Sequence, residues 1–88
     1  MDSTHIFRRL LTILRQFDDK LDVDAMRLDD VPLRAYGIDS LCLVRLACAV
    51  EDQFGISIDD GEAATASSFL LLVSLIDRKL GPAKEAAA

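Results

Sequence analysis

The run Ser40-Leu41-Cys42-Leu43-Val44-Arg45-Leu46-Ala47-Cys48-Ala49-Val50-Glu51-Asp52-Gln53-Phe54-Gly55 has the period of an α-helix. At about 100° per residue, Leu43, Leu46, Ala47, Val50 and Phe54 fall on one stripe. Their spacing is that of a face turned to a core. Asp39 or Ser40 supplies the oxygen that such a helix needs at its start. Gly55 ends it, because glycine takes the left-handed cap conformation without strain. Leu41, Val44 and Cys48 form a second apolar stripe nearly opposite the first, beside Arg45, Glu51 and Asp52. A thin bundle cannot readily bury both sides of one helix. Either the preceding loop folds over the second stripe, or that stripe meets a partner.

Upstream, Ile6, Phe7, Leu10, Leu11, Ile13, Leu14 and Phe17 recur at helical spacing, with Arg8, Arg9, Thr12, Arg15 and Gln16 on the other side. They predict an amphipathic helix of about 13 residues capped by Ser3 or Thr4. Residues 18–39 are a long connection, rich in Asp and punctuated by Pro32 and Gly37. Loops beyond about 12–15 residues are uncommon unless functional or partly ordered. Leu21, Val23, Met26, Leu28, Val31, Leu33 and Tyr36 are spaced through this one. The expectation is a loop pinned to the core at several points, with room for a short helical turn.

Downstream, Ile56-Ser57-Ile58 is a short extended link and Asp59-Asp60-Gly61 a turn or cap. Glu62 to Ala66 suits a short helix. Ser67 or Ser68 caps a last helix carrying Phe69, Leu72, Val73, Leu75, Ile76 and Leu80, with Arg78 and Lys79 in its final turn and Gly81-Pro82 as its stop. The predicted fold is all-α: a small bundle of three to four helices with a long loop between the first two main ones. Residues 1–82 form the domain and residues 83–88 a flexible tail.

A chain of 88 residues buries only about 60–65% of its unfolded surface. That suits a carrying or binding module better than an enzyme with a deep cleft. The net charge of −5 and the absence of a basic cluster argue against nucleic acid, and favour partners with basic patches. If Cys42 and Cys48 share a helix, their Cα atoms lie about 9 Å apart, beyond the reach of a disulfide. With a single His and no ligand spacing, no metal is expected. Met1-Asp2-Ser3-Thr4-His5 does not read as a signal peptide. Phe69 to Val73, an apolar run that no other exceeds, falls far short of the ~20 residues that cross a bilayer. A cytoplasmic, membrane-free protein is expected.

Tyr36-Gly37-Ile38-Asp39-Ser40-Leu41 joins the loop to the second helix. Gly37 permits a tight turn, and Ser40 sits at the positive end of the helix dipole, where a phosphate is well tolerated. Physics alone reads Asp39-Ser40 as an ordinary cap. The string Gly37-Ile38-Asp39-Ser40-Leu41, however, resembles the Gly-x-Asp-Ser-Leu attachment motif of acyl carrier proteins. The likeness runs on through Val44, Leu46, Ala49-Val50-Glu51-Asp52, Phe54-Gly55, Ile58 and Ser67-Ser68-Phe69. It covers about Ile6 to Leu80, in order, spacing and helix count.

The resemblance implies a covalent 4′-phosphopantetheine arm on Ser40, with Asp39 helping to present that serine. The arm's thiol would hold an acyl group as a thioester, to be presented to partner enzymes. No residue is expected to be catalytic. The implied partners are a phosphopantetheinyl transferase and acyl-loading, acyl-transfer or condensing enzymes, meeting a monomeric chain at Leu41, Val44, Arg45 and Cys48. Cys42 and Arg45 stand where bacterial fatty-acid carriers place acidic residues, and Arg34 and Ala35 replace acids before the motif. Tyr36-Gly37 looks more like polyketide, aryl or aminoacyl carriers, which points to polyketide or nonribosomal-peptide chemistry before fatty-acid synthesis. A cofactor-free helical interaction module is the alternative from another class. The string also resembles that of Gly-Asp-Ser-Leu hydrolases, but Ile38 interrupts it, and the sole His, His5, has no Asp-x-x-His context for a catalytic base.

Overall fold

The computed structural model describes residues 2–17 and 20–87, with side chains described as far as residue 81. Four α-helices form among these residues: α1 (Ser3–Phe17), α2 (Ser40–Phe54), α3 (Asp60–Thr65) and α4 (Phe69–Ala87). The connection between α1 and α2 carries two 3-10 turns, Val23–Ala25 and Leu33–Tyr36. The all-α bundle expected from the sequence is what forms. Its extended pairing, among the described residues, is a single antiparallel bridge between Pro32 and Ser68.

Helix α1 begins one turn earlier than its apolar period requires. The cap is Asp2, not Ser3 or Thr4: its carboxylate accepts from the His5 amide at 2.9 Å and its carbonyl from the Ile6 amide at 3.1 Å. Ile6, Leu10, Ile13 and Leu14 are buried on one face. They meet α2 and α4, while α3 bridges α2 and α4 at the other end. The centre of the core is Phe69, fully buried at the first turn of α4. Its ring meets Phe7 edge-on at 5.1 Å and Tyr36 at 5.8 Å. Such pairs add about 0.5–1.5 kcal/mol beyond burial.

Val23, Met26, Leu33 and Ile38 pin the long loop to the core, as the apolar spacing predicted. Hydrogen bonds settle where it lies. The Leu33 amide donates to the Ser67 carbonyl at 2.8 Å, and the Leu70 amide to the Asp29 carbonyl at 3.1 Å. The Ser68 hydroxyl donates to Asp30 at 3.0 Å and accepts from the Leu71 amide at 3.2 Å. Ser68 therefore caps α4 and ties the loop to it. The Tyr36 hydroxyl closes the loop on itself, donating to Asp29. Burial, then the bond to the Asp29 carboxylate, push this phenol's pKa up, so it stays a donor. The loop is stitched to the start of α4 and does not cover the second stripe of α2.

Helix α3 starts at Asp60. Asp59 and Glu62 form a reciprocal capping box. Glu62 also holds Lys79 of α4 at 2.9 Å, so Lys79 serves an interhelical pair as well as a helix end. Helix α4 does not stop at Gly81-Pro82. Gly81 keeps a negative φ, unlike Gly37 and Gly55, and so makes no left-handed stop. The expected tail over residues 83–88 lies outside the described side chains.

Candidate functional site

Ser40 is the first residue of α2, and its side chain is exposed. The chain reaches it through a turn of fixed geometry. Gly37 has φ 90°, the left-handed region where other side chains are strained. A Cβ there would also stand 3.3 Å from a Leu21 methyl. The Gly37 amide donates to the Arg34 carbonyl at 3.0 Å and the Ile38 amide to the Leu33 carbonyl at 3.2 Å, folding residues 33–34 back beside residues 38–40. Ile38 is buried. With Ile38 inward on one side and Leu46 inward on the other, Ser40 is left on the outer surface.

Asp39 is the cap. Its backbone is extended (φ −83°, ψ −179°) and its carboxylate accepts from the Cys42 amide at 2.8 Å. The Leu43 amide bonds the Asp39 carbonyl at 2.9 Å. The amides of Ser40 and Leu41 find no acceptor among the described residues, and neither does the Ser40 hydroxyl meet a side-chain base. His5 is exposed in the first turn of α1 and its backbone amide bonds Asp2. Ser40 is therefore not activated from within as a nucleophile. It is a hydroxyl held out at a helix start.

Beside it lies a groove of about 430 Å³. Pro32, Leu33, Ile38 and Leu43 give it an apolar floor, and Arg34, Asp39, Ser40 and Ser67 a polar rim. A phosphodiester on Ser40 fits this donor set: two amides without acceptors among the described residues at the positive end of a helix, with Arg34 among the residues lining the same groove. Sequence reasoning did not place Arg34, Pro32 or Ser67 here. The pairing of Pro32 with Ser68 that assembles the groove is long-range, and no local pattern announces it.

The outer face of α2 carries the other residues singled out from the sequence. Leu41 is 69% and Val44 55% exposed. Cys48 and Arg45 are exposed with them. The Arg45 guanidinium lies 5.0 Å over the Phe17 ring, an exposed contact worth about 0.5–1 kcal/mol. Cys42 and Cys48 are both thiols. Glu51, assigned to this face by its period, instead accepts from the Ile58 amide at 2.8 Å and fixes the link to α3. On the inner face Leu46, Ala47 and Val50 are buried, while Leu43 and Phe54 sit at its edges. The described residues hold no His, Cys, Asp or Glu cluster suited to a metal, and no helix among them is long and apolar enough to cross a membrane.

Comparison with known proteins points the same way. The family model described as "Phosphopantetheine attachment site" matches residues 8–81. An acyl carrier protein of Thermotoga maritima is 35% identical over 83 residues, covering 86% of this chain and 93% of that protein. An acyl carrier protein of Campylobacter hominis is 39% identical over 54 residues, covering 61% of this chain and 68% of that protein.

Proposed function

The chain belongs to the phosphopantetheine-attachment family of acyl carriers, and from that premise we propose that Ser40 bears the arm and that the outer face of α2 meets the partner enzymes. The family carries its 4′-phosphopantetheine covalently and is non-catalytic, a substrate of phosphopantetheinyl transferase and of acyl-handling enzymes. When bound, the arm supplies a thiol that holds an acyl group as a thioester.

The observation that carries the assignment is the exposed Ser40 hydroxyl at the start of α2, without a partner among the described residues and inside the matched segment. What this chain does for its cargo is presentation. The turn at Gly37 and the buried Ile38 fix where Ser40 stands. Asp39 holds the first turn of α2 and orients Ser40 toward an incoming transferase. Leu41, Val44 and Cys48 offer an apolar strip, and Arg45 offers a cation for a carboxylate on a partner. Tethering raises the local concentration of cargo at each partner. A strip this small also keeps each encounter short, as exchange between partners requires.

The cargo class is part of the proposal: polyketide- or nonribosomal-peptide-type assembly in the cytoplasm. Arg45 and Cys42 near the start of α2, and Arg34 before it, make this face less acidic than a fatty-acid carrier's. Exposure to coenzyme A and a phosphopantetheinyl transferase should add one arm's mass to the wild type and none to Ser40→Ala. Gain of mass by the variant overturns the site. Acyl groups released from chain purified from its host should be polyketide, aryl or aminoacyl units. Fatty acyl chains alone would overturn the cargo class and leave the site intact.

A further inference from the structure

Four of the seven arginines have side-chain partners among the described residues, and of the other three, Arg8, Arg34 and Arg78, it is Arg34 that lines the groove beside Ser40. Arg9 reaches Gln53 and lies over Phe54, Arg15 pairs with Asp24, Arg27 bonds two carbonyls, and Arg45 covers Phe17. The Arg34 side chain makes no hydrogen bond, ion pair or ring contact among the described residues, although Asp39 lines the same groove. The Asp39 carboxylate is turned to the Cys42 amide. Arg34 thus lines the groove that contains Ser40 with a cation that has no partner among the described residues. Its backbone is not loose. Its carbonyl accepts from Gly37, and the 3-10 turn that contains it is anchored by the buried Leu33.

We propose that Arg34 seats the phosphodiester through which the arm joins Ser40. This rests on the assignment of the arm to Ser40. A guanidinium presents a planar fork that matches two phosphate oxygens, which a point charge does not. The amides of Ser40 and Leu41 supply the remaining donors. The apolar floor formed by Pro32, Leu33, Ile38 and Leu43 then receives the branched hydrocarbon that follows the phosphate in pantetheine. Arg34 also offsets the charge of Asp39, which would otherwise repel the phosphodiester. It acts as a positioning residue: the foot of the arm is held at the rim while its far end stays free.

The test uses the full chain as wild type, Arg34→Gln and Arg34→Lys, each loaded with the arm. Circular dichroism confirms equal helicity, and intact mass confirms loading before anything else is read. Phosphorus NMR is then recorded between about 0.01 M and about 1 M salt, where the screening length falls from ~30 Å to ~3 Å. The wild-type resonance should move as salt rises. That of Arg34→Gln should start near the wild type's high-salt position and barely move, with Arg34→Lys between them. A Gln variant with the wild-type position and salt response overturns the proposal. So does slower loading with an unchanged phosphorus resonance, which would assign Arg34 to the transferase encounter. Failure of the wild type to load, or an added group away from Ser40, would instead strike the site assignment itself.

Discussion

The two faces of α2 are built from the same kinds of side chain and meet opposite fates. Leu46, Ala47 and Val50 are buried against α1 and the rest of the core, while Leu41, Val44 and Cys48 stand in solvent. In α1 the choice is simpler, because Arg8, Thr12, Arg15 and Gln16 keep its outer side polar. The difference shows that apolar character alone does not decide burial. The covering element decides it. Here the long α1–α2 connection could have covered the outer face, but Asp29, Asp30 and Leu33 tie it to Ser67, Ser68 and Leu70. One face of α2 stabilises the fold, and the other is left bare beside Ser40.

Truncation of the inner face is the most costly way to break this contrast. Leu46→Ala should destabilise the domain by about 2–5 kcal/mol, read by chemical denaturation, because it removes a wholly buried side chain and leaves a cavity. Two positions away, Val44→Asp should change stability by no more than about 0.5 kcal/mol and still weaken acyl transfer by a partner enzyme. If Val44→Asp unfolds the domain and Leu46→Ala does not, α2 is rotated and the proposed docking strip is core. Asp39→Ala lies at the junction of the two faces. Loss of its cap should cost about 1 kcal/mol, and loading by a transferase should slow by more than that destabilisation explains. Unchanged melting and unchanged loading together would leave Asp39 without either role.

The smallest effect concerns the far end of the bundle. The bond to Lys79, then the bond to the Asp59 amide, hold the Glu62 carboxyl below the ordinary glutamate range. The folded state therefore favours the carboxylate. Its contribution is present above the unfolded value of about 4.3 and is lost as pH falls through the lower folded value. Thermal melts across this acid limb should fall less steeply for Glu62→Gln than for the wild type. Equal slopes would show that the pair does not couple α3 to α4.

Much of this was legible in the sequence because it is local. The periods of α1 and α2 and the Gly55 stop are each written within a few residues, and so are the cap pairs Asp39-Ser40 and Ser67-Ser68, of which the structure uses Asp39 and Ser68. The position of the loop is not. It depends on Asp30 finding Ser68, 38 residues away, and on a backbone pairing between Pro32 and Ser68 that no periodicity encodes. For the same reason Ser40 could be singled out while Arg34 and the floor of its groove could not. Glu51 was misplaced because a helical period gives direction only, and its carboxylate turns to the Ile58 amide. Gly81-Pro82 reads as a stop, yet Gly81 does not take the positive φ of a left-handed cap, and α4 runs on past it.

The central claim is that the arm sits on Ser40, at the head of the two-faced helix. Cleavage after Arg34 and Arg45 releases residues 35–45, in which Ser40 is the only serine. Fragmentation of this peptide from chain loaded by a transferase should place the whole added mass on Ser40. The added mass on a peptide containing Ser3, Ser57, Ser67, Ser68 or Ser74, with residues 35–45 unmodified, would contradict it.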